Sequence, residues 1–109
     1  EAVKLKQMGV KAGIPDLCLP VPMGMYNGLY IEMKYDTGRL EDSQKKMLKA
    51  LAAAGHYCTV CYGAEEAIRV LQEYINLKKI DTGNREDAMS EQNLMIRKNG
   101  KVKCIIFKE

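Results

Sequence analysis

The sequence predicts a mixed α/β fold, in which a mixed β-sheet is flanked by helices and followed by a C-terminal β-hairpin. Short β-rich runs alternate with two segments whose apolar residues recur at helical spacing. Asn99-Gly100 separates the last two β-rich runs, and this dipeptide is the strongest short signal for a hairpin. A chain of 109 residues is also long enough for one domain with a modest core. The predicted order is therefore strand, strand, helix, strand, helix and hairpin.

The first two strands are predicted at residues 16–19 and 29–34. Two prolines stop the first strand, and an Asn-Gly pair supplies a turn before the second. We therefore expect the two strands to pair in antiparallel fashion. Residues 1–8 have helical spacing and end at Gly9, which indicates the tail of a helix or an entry loop.

The middle of the chain predicts a helix, a strand and a second helix. Residues 41–54 open with acidic side chains, carry an apolar stripe and end at Gly55, as helices do. The run Tyr57–Tyr62 is predicted to be a strand, and residues 64–75 form the second helix. Residues 81–93 are polar and lack any periodic pattern, which is typical of a linker or a mobile loop.

Composition excludes some classes of function and leaves others open. No apolar run approaches the roughly 20 residues of a membrane span. No basic-then-apolar opening of a signal peptide is visible either, so we expect a cytoplasmic location and no membrane partner. The net charge of +3 permits binding to nucleic acid without indicating it.

The four cysteines are predicted to be free thiols, because the sequence shows no secretory context. Cys58 and Cys61 have the CxxC spacing of redox and zinc sites. They fall in a predicted strand, however, where residues three apart point to opposite faces. A zinc site would also need a second pair of ligands. We therefore interpret both as buried structural thiols.

The residues that indicate chemistry are Asp16 and, sixteen positions later, Glu32-Met33-Lys34. On a strand, Glu32 and Lys34 project from the same face, and Asp16 can be placed beside Glu32 if the two strands pair. Two close carboxylates repel each other unless a cation lies between them. A hard divalent cation, Mg²⁺ or Mn²⁺, suits such oxygen ligands, and the carbonyl of Met33 could add another. Lys34 could then orient or deprotonate a water, or stabilise charge on a phosphate under attack.

Each of these residues also has an ordinary interpretation. A Glu-x-Lys triplet on a strand is more often a solvated face with a surface ion pair. Asp16 follows Pro15 and could simply be a turn residue. Only the combination, in this order and context, favours a catalytic site.

The ordered set of motifs resembles the VRR-NUC nucleases, the virus-type replication-repair branch of the PD-(D/E)XK superfamily. The motifs that carry the resemblance are Gly13-Ile14-Pro15-Asp16-Leu17, Gly28-Leu29-Tyr30-Ile31-Glu32-Met33-Lys34, Gly38-Arg39-Leu40, Gln44, Gly55 and Val60-Cys61-Tyr62-Gly63. The resemblance implies a restriction-endonuclease-like core, with Asp16 and Glu32 as metal ligands and Lys34 as the catalytic lysine. It further implies DNA as partner, hydrolysed with Mg²⁺ or Mn²⁺.

Short stand-alone members of this family, from phages and bacteria, are similar in length to this chain. The resemblance to them implies a homodimer that cuts branched DNA such as four-way junctions, inside a bacterial or phage-infected cell. Residues 1–76 would then form the nuclease core, residues 77–93 a polar linker, and residues 94–109 a hairpin that pairs with a sheet edge or serves as a dimer arm.

Gln44 is a further candidate catalytic residue. It lies at the head of the core-facing stripe of the first predicted helix, where an unpaired polar group costs about 1–3 kcal/mol. The resemblance implies that this side chain points at the active site, whereas the ordinary alternative is a bond to the first turn of its own helix. Candidate DNA contacts are the residues that lead into the Asp16 loop or follow Lys34, namely Lys4, Lys6, Lys11 and Tyr35.

Two alternatives to a structure-specific nuclease stay open. Relatives usually carry an upstream helix with an acidic residue near the metal site, and this sequence begins after that point. A chain without that helix could be a DNA-binding module that keeps the fold and lacks full activity. A restriction-type enzyme that cuts linear duplex is the other alternative.

Overall fold

A computed structural model of the protein describes residues 5–7, 13–78 and 92–107. The described residues form one sheet of six strands in the order β1-β2-β3-β4-β5-β6, and two helices. The strands β2–β3 and β5–β6 pair antiparallel, as do β1 and β2, whereas β4 is parallel to both β3 and β5. In chain order the elements are β1 Lys6–Gln7, β2 Leu17–Leu19, β3 Leu29–Lys34, α1 Asp42–Ala53, β4 Tyr57–Tyr62, α2 Ala64–Ile75, β5 Gln92–Lys98 and β6 Lys101–Phe107.

The predicted mixed α/β class is confirmed, and most elements lie where the sequence placed them. The prediction for the opening of the chain is wrong at Lys6–Gln7, which is a strand and not the tail of a helix. These two residues pair with Cys18 and Leu17, so backbone bonds to the free edge of β2 outweigh the local helical spacing. The rest of residues 1–12, apart from Leu5, and most of the predicted linker at 81–93 lie outside the described residues.

The two helices cover opposite faces of the sheet. On one face, Leu48 of α1 packs with Cys58, Val60 and Leu94. On the other face, α2 packs through Val70 and Tyr74. Their partners there are the buried side chains Leu19, Leu29, Ile31 and Cys61. Successive residues of each strand alternate between the two cores, as the pleat requires.

The cysteine predictions are confirmed for the described residues. All four thiols are free, and the CxxC pair is split between the two cores, with Cys58 on the α1 face and Cys61 on the α2 face. Burial raises the pKa of Cys58 to about 12 and that of Cys61 to about 11. Both thiols are therefore protonated at neutral pH and unsuited to redox exchange.

The C-terminal hairpin is part of the sheet, because β5 pairs with β4 of the same chain. Its turn has positive φ at Asn99 (53°) and at Gly100 (73°), the conformation that an Asn-Gly pair favours. Arg97 of β5 is buried, and its guanidinium donates to both carboxylate oxygens of Glu73 at 2.7 and 2.8 Å. Buried Glu66 accepts the N–H of Gly100 at 2.6 Å and lies 3.8 Å from Arg97 Nε. These contacts fix the hairpin to α2.

Candidate active site

The pairing of β2 with β3 brings the two predicted carboxylates together. The register matches Leu17 with Ile31, so one further step places Asp16 opposite Glu32. Asp16 lies just before β2 and is held there by the backbone of β3, since the N–H of Met33 donates to Asp16 Oδ2 at 2.8 Å. The carboxylate of Asp16 lies close enough to Glu32 for its charge to raise the pKa of Glu32. The site therefore lies at the carboxyl end of β3.

Glu32 is the buried centre of the site, with only 3% of its surface exposed. Gln44 of α1 donates from Nε2 to Glu32 Oε2 at 3.0 Å, and Lys34 Nζ lies 3.8 Å from the same oxygen. Ile31 and Met33 point the other way and pack in the α2 core. The structure thus brings Asp16, Glu32, Lys34 and Gln44 together on one face.

The electrostatics of Glu32 show a conflict between burial and charge. Burial, the largest cause, and the nearby charge of Asp16 both raise the pKa of Glu32, Lys34 lowers it, and the net value is about 7. In the absence of a cation, a large fraction of Glu32 is therefore protonated at neutral pH. A positive charge bound between the two carboxylates would remove the conflict and favour the ionised form.

The residues present fit a divalent metal ion. Asp16 and Glu32 offer two adjacent carboxylates, which are the oxygen ligands that Mg²⁺ and Mn²⁺ prefer. The Met33 amide is already bonded to Asp16, and a role for its carbonyl as a further ligand stays a prediction. Within residues 5–7, 13–78 and 92–107, no third His, Cys, Asp or Glu joins this pair.

Gln44 makes both of the contacts between which the sequence left a choice. Its Oε1 accepts the backbone N–H of Glu41, the residue before α1, at 2.9 Å. Its Nε2 donates to Glu32 across to the sheet. One amide can do both because it carries an acceptor and a donor on separate atoms. The start of α1 and the carboxylate of Glu32 are thereby held by one side chain.

Sequence reasoning missed two residues that shape the rim of the site. The loop that follows Lys34 is held by Tyr62, whose hydroxyl donates to the carbonyl of Gly38 at 2.6 Å. Lys98 of β5 donates to the carbonyl of Asp36 at 2.8 Å and lies 4.6 Å above the ring of Tyr62. The alternation of faces in the strands was the available signal, but it needs the strand register, which the sequence does not provide.

The predicted DNA contacts are only partly described. Tyr35 lies in the loop after Lys34 and is 66% exposed, so its ring is accessible beside the site. The backbone of Lys6 lies in β1, next to β2, but its side chain is not described. Lys4 and Lys11 lie outside the described residues. The contacts of all four with DNA stay predictions.

Two comparisons relate the chain to known proteins. The family model described as the VRR-NUC domain matches residues 1–65, more than half of the chain. A solved structure described as a "VRR_NUC domain protein" is similar to this one with a TM-score of 0.64. The two are 34% identical, over 71% of this chain and 71% of that chain. No curated protein matches the chain.

The matched segment contains Asp16, Glu32, Lys34 and Gln44, the four residues that meet on the α1 face. The fold is of the PD-(D/E)XK type, and the domain implies a nuclease-type function and DNA binding. Neither helix of the described residues has the length and the apolar character needed to cross a membrane. On the evidence of the domain match and of the related structure, the chain belongs to the VRR-NUC domain family.

Proposed function

We propose that this protein is a Mg²⁺- or Mn²⁺-dependent endonuclease that hydrolyses phosphodiester bonds in branched DNA. The observation that carries the proposal is the buried Glu32 beside Asp16. The pKa of Glu32 is raised to about 7, and a cation between the two carboxylates would favour its ionised form. Lys34 and Gln44 touch or approach the same carboxylate. This arrangement supports a hydrolase better than a surface ion pair, because Glu32 is almost fully removed from water.

Each residue of the candidate site has a separate role in the proposed reaction. A divalent cation held by Asp16, Glu32 and the Met33 carbonyl would supply positive charge at the phosphate and lower the pKa of an attacking water. The Met33 N–H orients Asp16, and Gln44 Nε2 orients Glu32. Lys34 keeps its ammonium group 3.8 Å from Glu32, where it stabilises the negative charge that develops on the phosphate.

The preference for branched DNA and the homodimer rest on the likeness to short stand-alone members of the family. A dimer with two such sites can cut two strands of one junction symmetrically. A restriction-type enzyme would instead cut linear duplex at one short sequence. A DNA-binding module with an incomplete site would bind without cutting.

The proposal is tested by incubating the protein with a labelled four-way junction, a flap and a linear duplex. Each substrate is tested with Mg²⁺, with Mn²⁺ and with EDTA. We expect metal-dependent cutting of the junction, which falls by about 10²–10³-fold in Lys34→Ala and is lost in Asp16→Asn. Light scattering on the same preparation should give the mass of a dimer.

Lys78→Ala is a matched control, because this exposed lysine follows α2 at the opposite end of the sheet. It should cut as fast as the original protein. Binding of all three substrates without cutting in either metal would rule out the enzyme. Cutting of linear duplex alone, at one short sequence, would show that the protein is a restriction-type enzyme and does not prefer junctions.

Gln44→Leu is expected to affect stability and activity together. It removes the acceptor for the Glu41 N–H, a cap contact worth about 1 kcal/mol. It also removes the donor that orients Glu32, a supporting contact whose loss typically costs 10–100-fold in activity or metal affinity. Denaturant unfolding and the junction-cutting rate measure the two effects separately. Gln72→Leu, on the exposed side of α2, should change neither, and an unchanged cutting rate in Gln44→Leu would reduce Gln44 to a helix cap.

A further inference from the structure

The strand register places a row of side chains across the carboxyl end of the sheet, beginning at Lys34. Lys34 pairs with Tyr62 of β4, and Cys61 pairs with Arg97 of β5, so the next step brings Tyr62 beside Lys98. Lys98 in turn pairs with Lys101 of β6. The row therefore runs from the candidate catalytic lysine to the start of the last described strand.

These lysines share the face of the sheet that carries Glu32 and Gln44. Paired residues of neighbouring strands project to the same side, and residues two apart on one strand do so too. Ile96 and Ile105 pack in the α1 core, and they lie two residues from Lys98 and Lys103. On this face, each strand of the hairpin carries apolar residues where it packs against α1 and lysines where it extends past α1. Lys98, Lys101 and Lys103, which we call the hairpin lysines, are all exposed.

No carboxylate of residues 5–7, 13–78 and 92–107 forms an ion pair with the hairpin lysines. Among the described residues, Lys98 donates to the backbone carbonyl of Asp36 and lies above the Tyr62 ring, and neither contact involves a carboxylate. A surface that served solubility alone would normally mix both signs of charge.

The dimensions of the row suit a nucleic-acid backbone. Neighbouring strands are about 4.8 Å apart, so β6 lies about 14 Å from β3 across the sheet. One strand of DNA advances about 3.4 Å per nucleotide, and about four nucleotides span that distance. The turn is also held firmly, since Gly100 and Arg97 are bonded to Glu66 and Glu73 of α2. The hairpin can therefore present its charges at fixed places.

We propose that the hairpin lysines bind phosphates of the DNA on one side of the bond that is cut. This inference rests on the proposed function and extends it to a surface outside the family match, which ends at residue 65. The contacts position the backbone and carry no base sequence. They add to a group of candidate catalytic residues that lie just before β2, on β3 and on α1.

The test measures binding of a labelled four-way junction by fluorescence anisotropy in EDTA, over a range of salt concentrations. Each lost phosphate contact lowers the slope of log K against log salt by about 0.9. The slope should therefore be smaller in magnitude by about 0.9 in Lys103→Gln and by about 1.8 in Lys101→Gln/Lys103→Gln. At 0.1 M salt the double variant should bind at least about tenfold more weakly.

Two controls separate phosphate binding from other effects. Lys78→Gln loses the same single charge at the far end of α2 and should leave the slope unchanged. Lys101→Arg/Lys103→Arg keeps both charges and should bind as the original protein does. Circular dichroism of each variant checks that the fold is retained.

The outcomes for the hairpin and for the nuclease activity are distinct. Equal slopes for the double variant and Lys78→Gln would overturn the hairpin contacts, even if the protein cuts junctions. A loss of dimer mass with an unchanged slope would assign these residues to a subunit interface and would also overturn them. A reduced slope in a protein that cuts nothing with metal would support the hairpin contacts and refute the enzyme.

Discussion

Glu32→Gln is expected to abolish DNA cutting and, at the same time, to make the metal-free protein more stable at pH 8. The change removes one of the two candidate metal ligands while keeping the size of the side chain. It also removes a buried negative charge that lies beside Asp16. An amide at this position needs no counter-charge and can still accept the bond from Gln44.

The gain in stability should depend on pH with a definite sign. The pKa of Glu32 is raised from 4.5 to about 7 in the folded protein. A raised pKa means that the folded state binds the proton more tightly, so this favourable contribution is complete below about pH 4.5 and is lost as the pH rises to 7. The loss amounts to roughly 3–4 kcal/mol, at about 1.4 kcal/mol per pKa unit.

Denaturant unfolding in EDTA at pH 5 and pH 8 measures this effect. We expect Glu32→Gln to raise the free energy of unfolding by about 1–3 kcal/mol at pH 8 and by much less at pH 5. Glu65→Gln, at an exposed position on α2, should show no such difference. A gain of equal size at both pH values would show that the charge of Glu32 is not its cause.

Arg97→Met is expected to destabilise the protein by about 3–5 kcal/mol, the usual cost of breaking a buried ion pair from one side. The variant leaves the carboxylate of Glu66 buried without its nearest buried cation. It also ends the paired bonds to Glu73, which hold β5 to α2. Thermal or denaturant unfolding measures the change.

Arg97→Met leaves the carboxylate charge of Glu66 buried, and removing that charge should recover part of the lost stability. In Glu66→Gln/Arg97→Met, the amide can still accept the N–H of Gly100, and no buried charge remains. We therefore expect the double variant to be more stable than Arg97→Met alone. Glu73→Gln is the mild comparison, because 58% of the Glu73 side chain is exposed. A double variant no better than Arg97→Met would show that packing of the arginine, and not charge, dominates.

Much of the fold followed from local pattern. Strand β4 and helix α2 begin and end where the sequence predicted, because a β-branched and aromatic run and a 3.6-residue period are strong local signals. The alternation of faces along β3 predicted that Glu32 and Lys34 share one face of the sheet and that Ile31 lies on the other face, as the structure shows. The β2–β3 register then brings in Asp16.

What could not be predicted depends on partners distant in sequence. Lys6–Gln7 becomes a strand only because β2 offers an edge, and nothing within residues 1–8 encodes that edge. The burial of Arg97 depends on α2, and its partner Glu73 lies 24 residues earlier in the chain. The hairpin lysines could not be related to the site, because the parallel pairing of β4 with β5 sets their place beside Tyr62.

Gln44 bonds both to the start of α1 and to Glu32, so local unfolding of the helix start also changes the contacts of the site. The first turn of a helix is among the parts that unfold most readily, at a small fraction of the free energy of global unfolding. When the first turn of α1 opens, Gln44 leaves both the Glu41 N–H and the Glu32 carboxylate. The carboxylate of Glu32 then loses its bond to Gln44 while the sheet stays intact. Reciprocally, whatever binds Glu32 and leaves Gln44 in place holds the helix closed. Opening of one helical turn is therefore enough to free Glu32 from Gln44, and the whole domain need not unfold.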